Sequence, residues 1–151
     1  MPRILIDADG CPVKEEVYRV ASRYGLDVKV VSNSWMRVPD QDGIELVVVG
    51  NRFDAADDWI VEQAGESDIV ISADIPLASR CLEKGARVLG PTGRPFDQDN
   101  IGDLMASREL LSQLRDMGTV TGGPAPFSKK DRSRFLQRLD EAVQAVLRAG
   151  R

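Results

Sequence analysis

The sequence predicts an α/β domain: an open, mostly parallel sheet flanked by helices, with extra helices towards the C-terminal end. Three observations carry this. Short runs rich in β-branched residues alternate with segments of helical period, as in sheets whose strands are joined by helical crossovers. The links between them are short, which favours helices covering both faces of one sheet. Finally, 151 residues with no internal repeat and no linker suit one domain spanning 1–151, with a helical extension over about 100–148.

Ile4-Leu5-Ile6 reads as a buried strand, Asp7-Ala8-Asp9-Gly10 as a turn, and Pro12 stands near the first turn of a helix. Val13, Val17, Val20, Ala21 and Tyr24 repeat at helical spacing until Gly25 stops them. Val28 to Ser32 and Ile44 to Val49 follow as strands, with a loop from Arg37 to Gly43 between them. A second helix opens at Phe53-Asp54-Ala55-Ala56, with Asp54 as N-cap candidate, and runs to about Ala64. Ile69 to Ser72 is another strand, Pro76 starts a third helix that Gly85 ends, and Arg87 to Leu89 is a fifth strand. Two amphipathic helices, over 100 to 116 and about 129 to 148, flank the loop Thr121-Gly122-Gly123-Pro124.

The 42% hydrophobic and 29% charged composition is that of a folded protein. No apolar run approaches the ~20 residues of a bilayer span, and the first strand begins at once, so the expected location is cytoplasmic, without a membrane partner. The chain has no histidine, which excludes the Ser-His-Asp triad, the Cys-His pair and the zinc-protease motif. Cys11 and Cys81 are too few for a disulfide framework or a zinc cluster. Any acid chemistry falls to carboxylates. The net charge of −4 is unevenly spread: residues 1–100 carry 11 Lys+Arg against 18 Asp+Glu, and residues 101–151 carry 9 against 6. The acidic front opposes nucleic acid unless a divalent cation reverses the local field.

In open α/β sheets the functional crevice lies beyond the carboxyl ends of the strands, where Asp7, Asp9 and Asp74 fall. At 100° per residue Asp57 lies in line with Ile60, Val61 and Ala64, so it should face inward near the start of its helix, whereas Asp58 and Glu62 fall on the solvated side. Carboxylates crowded together raise one another's pKa unless a cation compensates, and Mg²⁺ or Mn²⁺ suits hard oxygen ligands. Each aspartate also has a structural alternative: a turn bond for Asp9, backbone amides before Pro76 for Asp74, a helix-dipole position for Asp57. The basic run Lys129, Lys130, Arg132, Arg134 and Arg138 is either a solvated helix face or a phosphate-holding surface.

Four motifs in order resemble the YaiI/YqxD-like family of uncharacterised bacterial proteins: Asp7-Ala8-Asp9-Gly10-Cys11-Pro12, Phe53-Asp54-Ala55-Ala56-Asp57, Ser72-Ala73-Asp74-Ile75-Pro76-Leu77-Ala78 and Thr121-Gly122-Gly123-Pro124. The likeness runs from Asp7 to the helix containing Asp131 and Arg132, and the family usually has Ala where this chain has Gly10. The resemblance implies a PIN-like domain, similar to metal-dependent ribonucleases. Those bind a divalent metal through an aspartate after the first strand, an acidic helix residue and an aspartate after a later strand. By motif these are Asp7, Asp57 and Asp74, while Asp9 and Asp54 belong to the family's own pattern. The implied function is a phosphodiesterase acting on RNA with Mg²⁺ or Mn²⁺, in which Lys130 and Arg132 position the nucleic-acid backbone. Two alternatives stand beside it. Asp7-Ala8-Asp9-Gly10 after an apolar strand also looks like the nucleophile motif of haloacid-dehalogenase-type phosphatases, although the later lysine and acidic pair are out of order. A catalytically silent PIN-like module that binds RNA or a protein is the other.

Overall fold

The computed structural model describes residues 2–50, 52, 54–118 and 126–150. Along the chain the elements run β1 (Arg3–Asp7), α1 (Lys14–Tyr24), β2 (Asp27–Ser32), β3 (Ile44–Val48), α2 (Ala55–Gln63), β4 (Asp68–Ile71), α3 (Ile75–Glu83), β5 (Arg87–Leu89), β6 (Pro95–Phe96), α4 (Ile101–Asp116) and α5 (Lys129–Ala149). All six strands join one sheet in the order β3-β2-β1-β4-β5-β6. The first five are parallel and β6 runs antiparallel to β5. This is the expected open, mostly parallel sheet. The motif residues Phe53 and Thr121-Gly122-Gly123-Pro124 lie outside the described residues.

Successive strand residues point to opposite faces, and both faces of this sheet are covered. Ile4, Ile6, Val28, Val30, Ile69 and Ile71 pack with Val17 and Val20 of α1 and with Phe135, Leu139 and Val143 of α5. Leu5, Val31, Val70 and Val88 pack with Ile60 of α2, Leu77 and Cys81 of α3, and Ile101 of α4. Burial of this kind contributes roughly 25 cal/mol per Å² of apolar surface, so the two cores fix which way each strand end points. At the opposite end of the sheet Arg3 ties β1 to β4: its Nε donates to Asp68 Oδ1 at 3.1 Å and Nη2 to the Gln63 carbonyl at 2.7 Å.

Local chemistry sets the helix ends. Gly25 closes α1 at φ 67°, in the left-handed region that costs a residue without Cβ least. Ser128 and Asp131 form a reciprocal capping box at the start of α5, each side chain accepting from the other's backbone N–H. Asp74 caps α3, its Oδ1 accepting from Leu77 N–H at 3.0 Å. Asp54 does not behave as the expected cap: it precedes α2, but its side chain makes no capping bond. Its φ and ψ of −103° and 12° lie outside the extended region that aims a cap side chain at the helix, and its carboxylate pairs with Arg52 at 2.9 Å. Strand β6 leaves no signal in the sequence, because a two-residue strand carries no periodicity.

Candidate functional site

Strands β1 and β4 are neighbours, yet the chain leaves them for helices on opposite faces, α1 on one and α3 on the other. The crevice beyond their carboxyl ends is the switch point of the sheet. Asp7 ends β1, Asp9 lies in the turn after it, Asp57 sits in the first turn of α2, and Asp74 caps α3. All four line a single cleft of about 590 Å³, with Ala8, Gly10 and Ala56, and with Ser32, Asn33, Ser34 and Met36 from the end of β2. Gly10 turns the chain at φ 65°, a conformation that residues with a Cβ rarely adopt.

One buried hydroxyl organises the carboxylates. Ser72, 2% exposed, donates from Oγ to Asp7 Oδ2 at 2.9 Å and accepts from Asp74 N–H at 3.0 Å. Asp7 and the residue that carries the Asp74 carboxylate are thereby held by the same oxygen. Burial raises the Asp7 carboxyl above its ordinary range; the Ser72 bond opposes this, and the charges of Asp74 and Asp9 add to it. Asp57 is pushed up to about 6, first by burial, then by Asp74 and Asp7, with the Arg80 guanidinium pulling the other way. Carboxylates that raise one another in this manner form an electrostatic unit that favours a cation.

Among the described residues no three His, Cys, Asp or Glu side chains close into a ready-made metal cage. Mg²⁺ does not require one, because it keeps several waters and takes one or two carboxylates together with substrate oxygens. The donors in the cleft are hard oxygens and the crowded acids gain from a positive charge, so the residues present fit Mg²⁺ or Mn²⁺.

Asp58, adjacent to Asp57, is not among the cleft-lining residues and accepts from Arg80 at 3.1 Å and from Arg52 at 2.8 Å. Cys11 and Cys81 are both buried and free, and burial pushes the Cys81 thiol up to about 12. The basic residues of α5 divide. Lys130 is exposed in the first turn. Arg132 pairs with the buried Glu16 of α1, donates to the Pro12 carbonyl at 3.4 Å and stacks over the Phe127 ring at 5.0 Å. It thus anchors the start of α5 to the loop that follows Asp9. Ser72 as the bridge, and Asn33, Ser34 and Met36 as cleft walls, emerge only in the folded structure. The strand-end rule that selects Asp7 and Asp74 also selects them, once β2 is known to lie beside β1.

The class the fold and cleft define is an open, mostly parallel α/β protein with aspartates gathered at the switch point of its sheet. The chain belongs to the YaiI/YqxD family, described as uncharacterised, whose profile matches residues 5–145. It is similar to UPF0178 proteins of Sphingopyxis alaskensis (59% identical over 148 residues, 97% of this chain and 96% of the relative) and Rhodospirillum centenum (57% over 149 residues, 96% and 97%). The one from Nitrobacter winogradskyi is 53% identical over 147 residues, 97% of this chain and 94% of the relative. No solved structure matches the chain.

Proposed function

We propose that the chain is an Mg²⁺- or Mn²⁺-dependent phosphodiesterase that acts on RNA. One observation supports it above the rest: three separate segments deliver four carboxylates, Asp7, Asp9, Asp57 and Asp74, to one cleft at the switch point of the sheet. One or two of Asp7, Asp57 and Asp74 would bind the ion directly and the remainder through its waters, with Asp9 available from the turn. Bound there, the ion would lower the pKa of a water and stabilise charge developing on the phosphate. Ser72 fixes the Asp7 carboxylate through Oδ2, and the Leu77 N–H engages Asp74 at Oδ1, so both ligands are oriented before a substrate arrives. Lys130 would meet the RNA backbone from the exposed start of α5. Arg132 would help chiefly by holding that start beside the loop after β1. Such phosphate contacts orient a strand without reading its sequence. A dehalogenase-type phosphatase is less well supported, since it needs a lysine in the site and none of the described residues lining this cleft is one.

Purified protein with Mn²⁺ is expected to cleave single-stranded RNA, and Asp74→Asn to abolish cleavage while circular dichroism shows the fold retained. Loss of one charged ligand weakens ion binding and phosphate stabilisation together, whereas loss of a helix cap alone costs about 1 kcal/mol of stability. Equal, chelator-insensitive cleavage by both proteins would overturn the assignment.

A further inference from the structure

Trp35 is the only exposed aromatic side chain among the described residues: it is 76% exposed, while Trp59 is packed against a core and Phe135 is fully buried. A tryptophan carries 150–250 Å² of largely apolar surface, so leaving one in water forgoes stabilisation that folding would otherwise gain. Its position is specific. Trp35 stands between Ser34 and Met36, both of which line the aspartate cleft, on the segment that leaves β2 beside β1. The turn beneath it is held by Ser34 N–H donating to Ser32 Oγ at 3.2 Å, so the indole projects from an anchored backbone.

Resting on the phosphodiesterase reading above, we infer that Trp35 is a stacking platform for an unpaired nucleobase next to the phosphate in the cleft, and that the substrate is therefore single-stranded. Every base offers a π-face, so an indole beside a phosphate-handling cleft gives affinity without sequence preference. Bases in a duplex are stacked on each other and do not offer that face, which makes the contact selective for single strands, loops and ends. The cleft walls next to Trp35, Asn33 and Ser34, are uncharged polar residues that tolerate any base edge.

The test compares a short single-stranded RNA with an abasic strand of equal length, in Mg²⁺ and in non-hydrolysing Ca²⁺. In a Trp59→Phe background Trp35 is the sole indole, and its fluorescence should be quenched saturably by the base-bearing strand and not by the abasic one. Trp35→Ala should weaken binding of the base-bearing strand about tenfold, leave abasic binding unchanged, and be rescued largely by Trp35→Phe. A duplex of the same sequence should bind wild type no better than Trp35→Ala. Base-independent binding, or equal affinities of wild type and Trp35→Ala, would overturn the inference and favour Trp35 as an anchor for a protein partner. Base-dependent quenching without cleavage would instead sink the nuclease reading and leave the stacking platform standing.

Discussion

Asp57 stands where burial and two neighbouring carboxylates work against its ionisation, and its carboxyl is pushed up to about 6 in the metal-free protein. In the unfolded chain an aspartate titrates near 3.9, so between about pH 4 and pH 6 the folded state holds a proton that the unfolded state has released. Stability therefore falls as pH rises through this window, and the penalty is fully present above it. Asp57→Asn removes the charge and keeps the shape. It should raise the Tm of metal-free protein at about pH 7.5 and change it little at about pH 4, where the native carboxyl is already neutral. Thermal melts with a chelator check this, and an equal effect at both pH values would mean that packing, not charge, governs the residue. Ser72 is the counterpart at this scale: its single hydroxyl touches both Asp7 and the Asp74 backbone, and while its place after a strand is legible locally, its partner 65 residues away is not.

Helix α5 presents a row of basic residues, and its fold contacts distinguish them. Arg132 neutralises Glu16, which is 4% exposed and retains a buried Oε2 without a hydrogen-bond partner. A charge so buried is costly unless paired. Arg132→Met should thus lower stability by about 1–3 kcal/mol, and Glu16→Leu added to it should recover most of the loss by removing the stranded carboxylate. Urea denaturation of the three proteins measures this. Failure of the second substitution to rescue would show that the Phe127 stacking or the Pro12 contact, not the ion pair, carries the tether. Lys130 should be silent in the same assay, since it is exposed in the first turn. The two residues that look alike in sequence therefore separate by element packing.

At the scale of the molecule, the acidic front of the chain forms the sheet and the cleft, while the basic remainder supplies α5, which is laid across the face opposite α2 and α3. A cation bound at the switch point joins elements from β1, α2 and α3, so its binding energy becomes folding stability. At about a hundred times its Kd, Mg²⁺ or Mn²⁺ should stabilise the native state by about 2.7 kcal/mol, or roughly 5–11 °C in Tm for a domain of this size. Asp74→Asn should lose most of that shift. Scanning calorimetry with and without the ion checks it, and equal shifts in wild type and variant would point to nonspecific screening.

Much of this architecture is written locally. Hydrophobic period and turn residues mark the first five strands, and the helices from α1 to α5, within a residue or two of where they form. Gly25 as a stop, and Asp7 and Asp74 at strand ends, follow from the same local signals. The helical wheel also separates Asp57, which lines the cleft, from Asp58, which pairs with arginines. These features depend on φ, ψ and the facing of neighbours a few residues apart, which the order of side chains determines by itself. What remained for the tertiary structure was everything set by contacts between distant segments. Strand order is one case, since a parallel pairing is chosen by which core each helix covers. The Ser72 bridge 65 residues from Asp7, Arg132 drawn to Glu16 across 116 residues, and Ser34 and Met36 brought to the aspartate cleft on either side of Trp35 are the others. No local period encodes such meetings, because they exist only after the sheet has closed and its two faces have been covered.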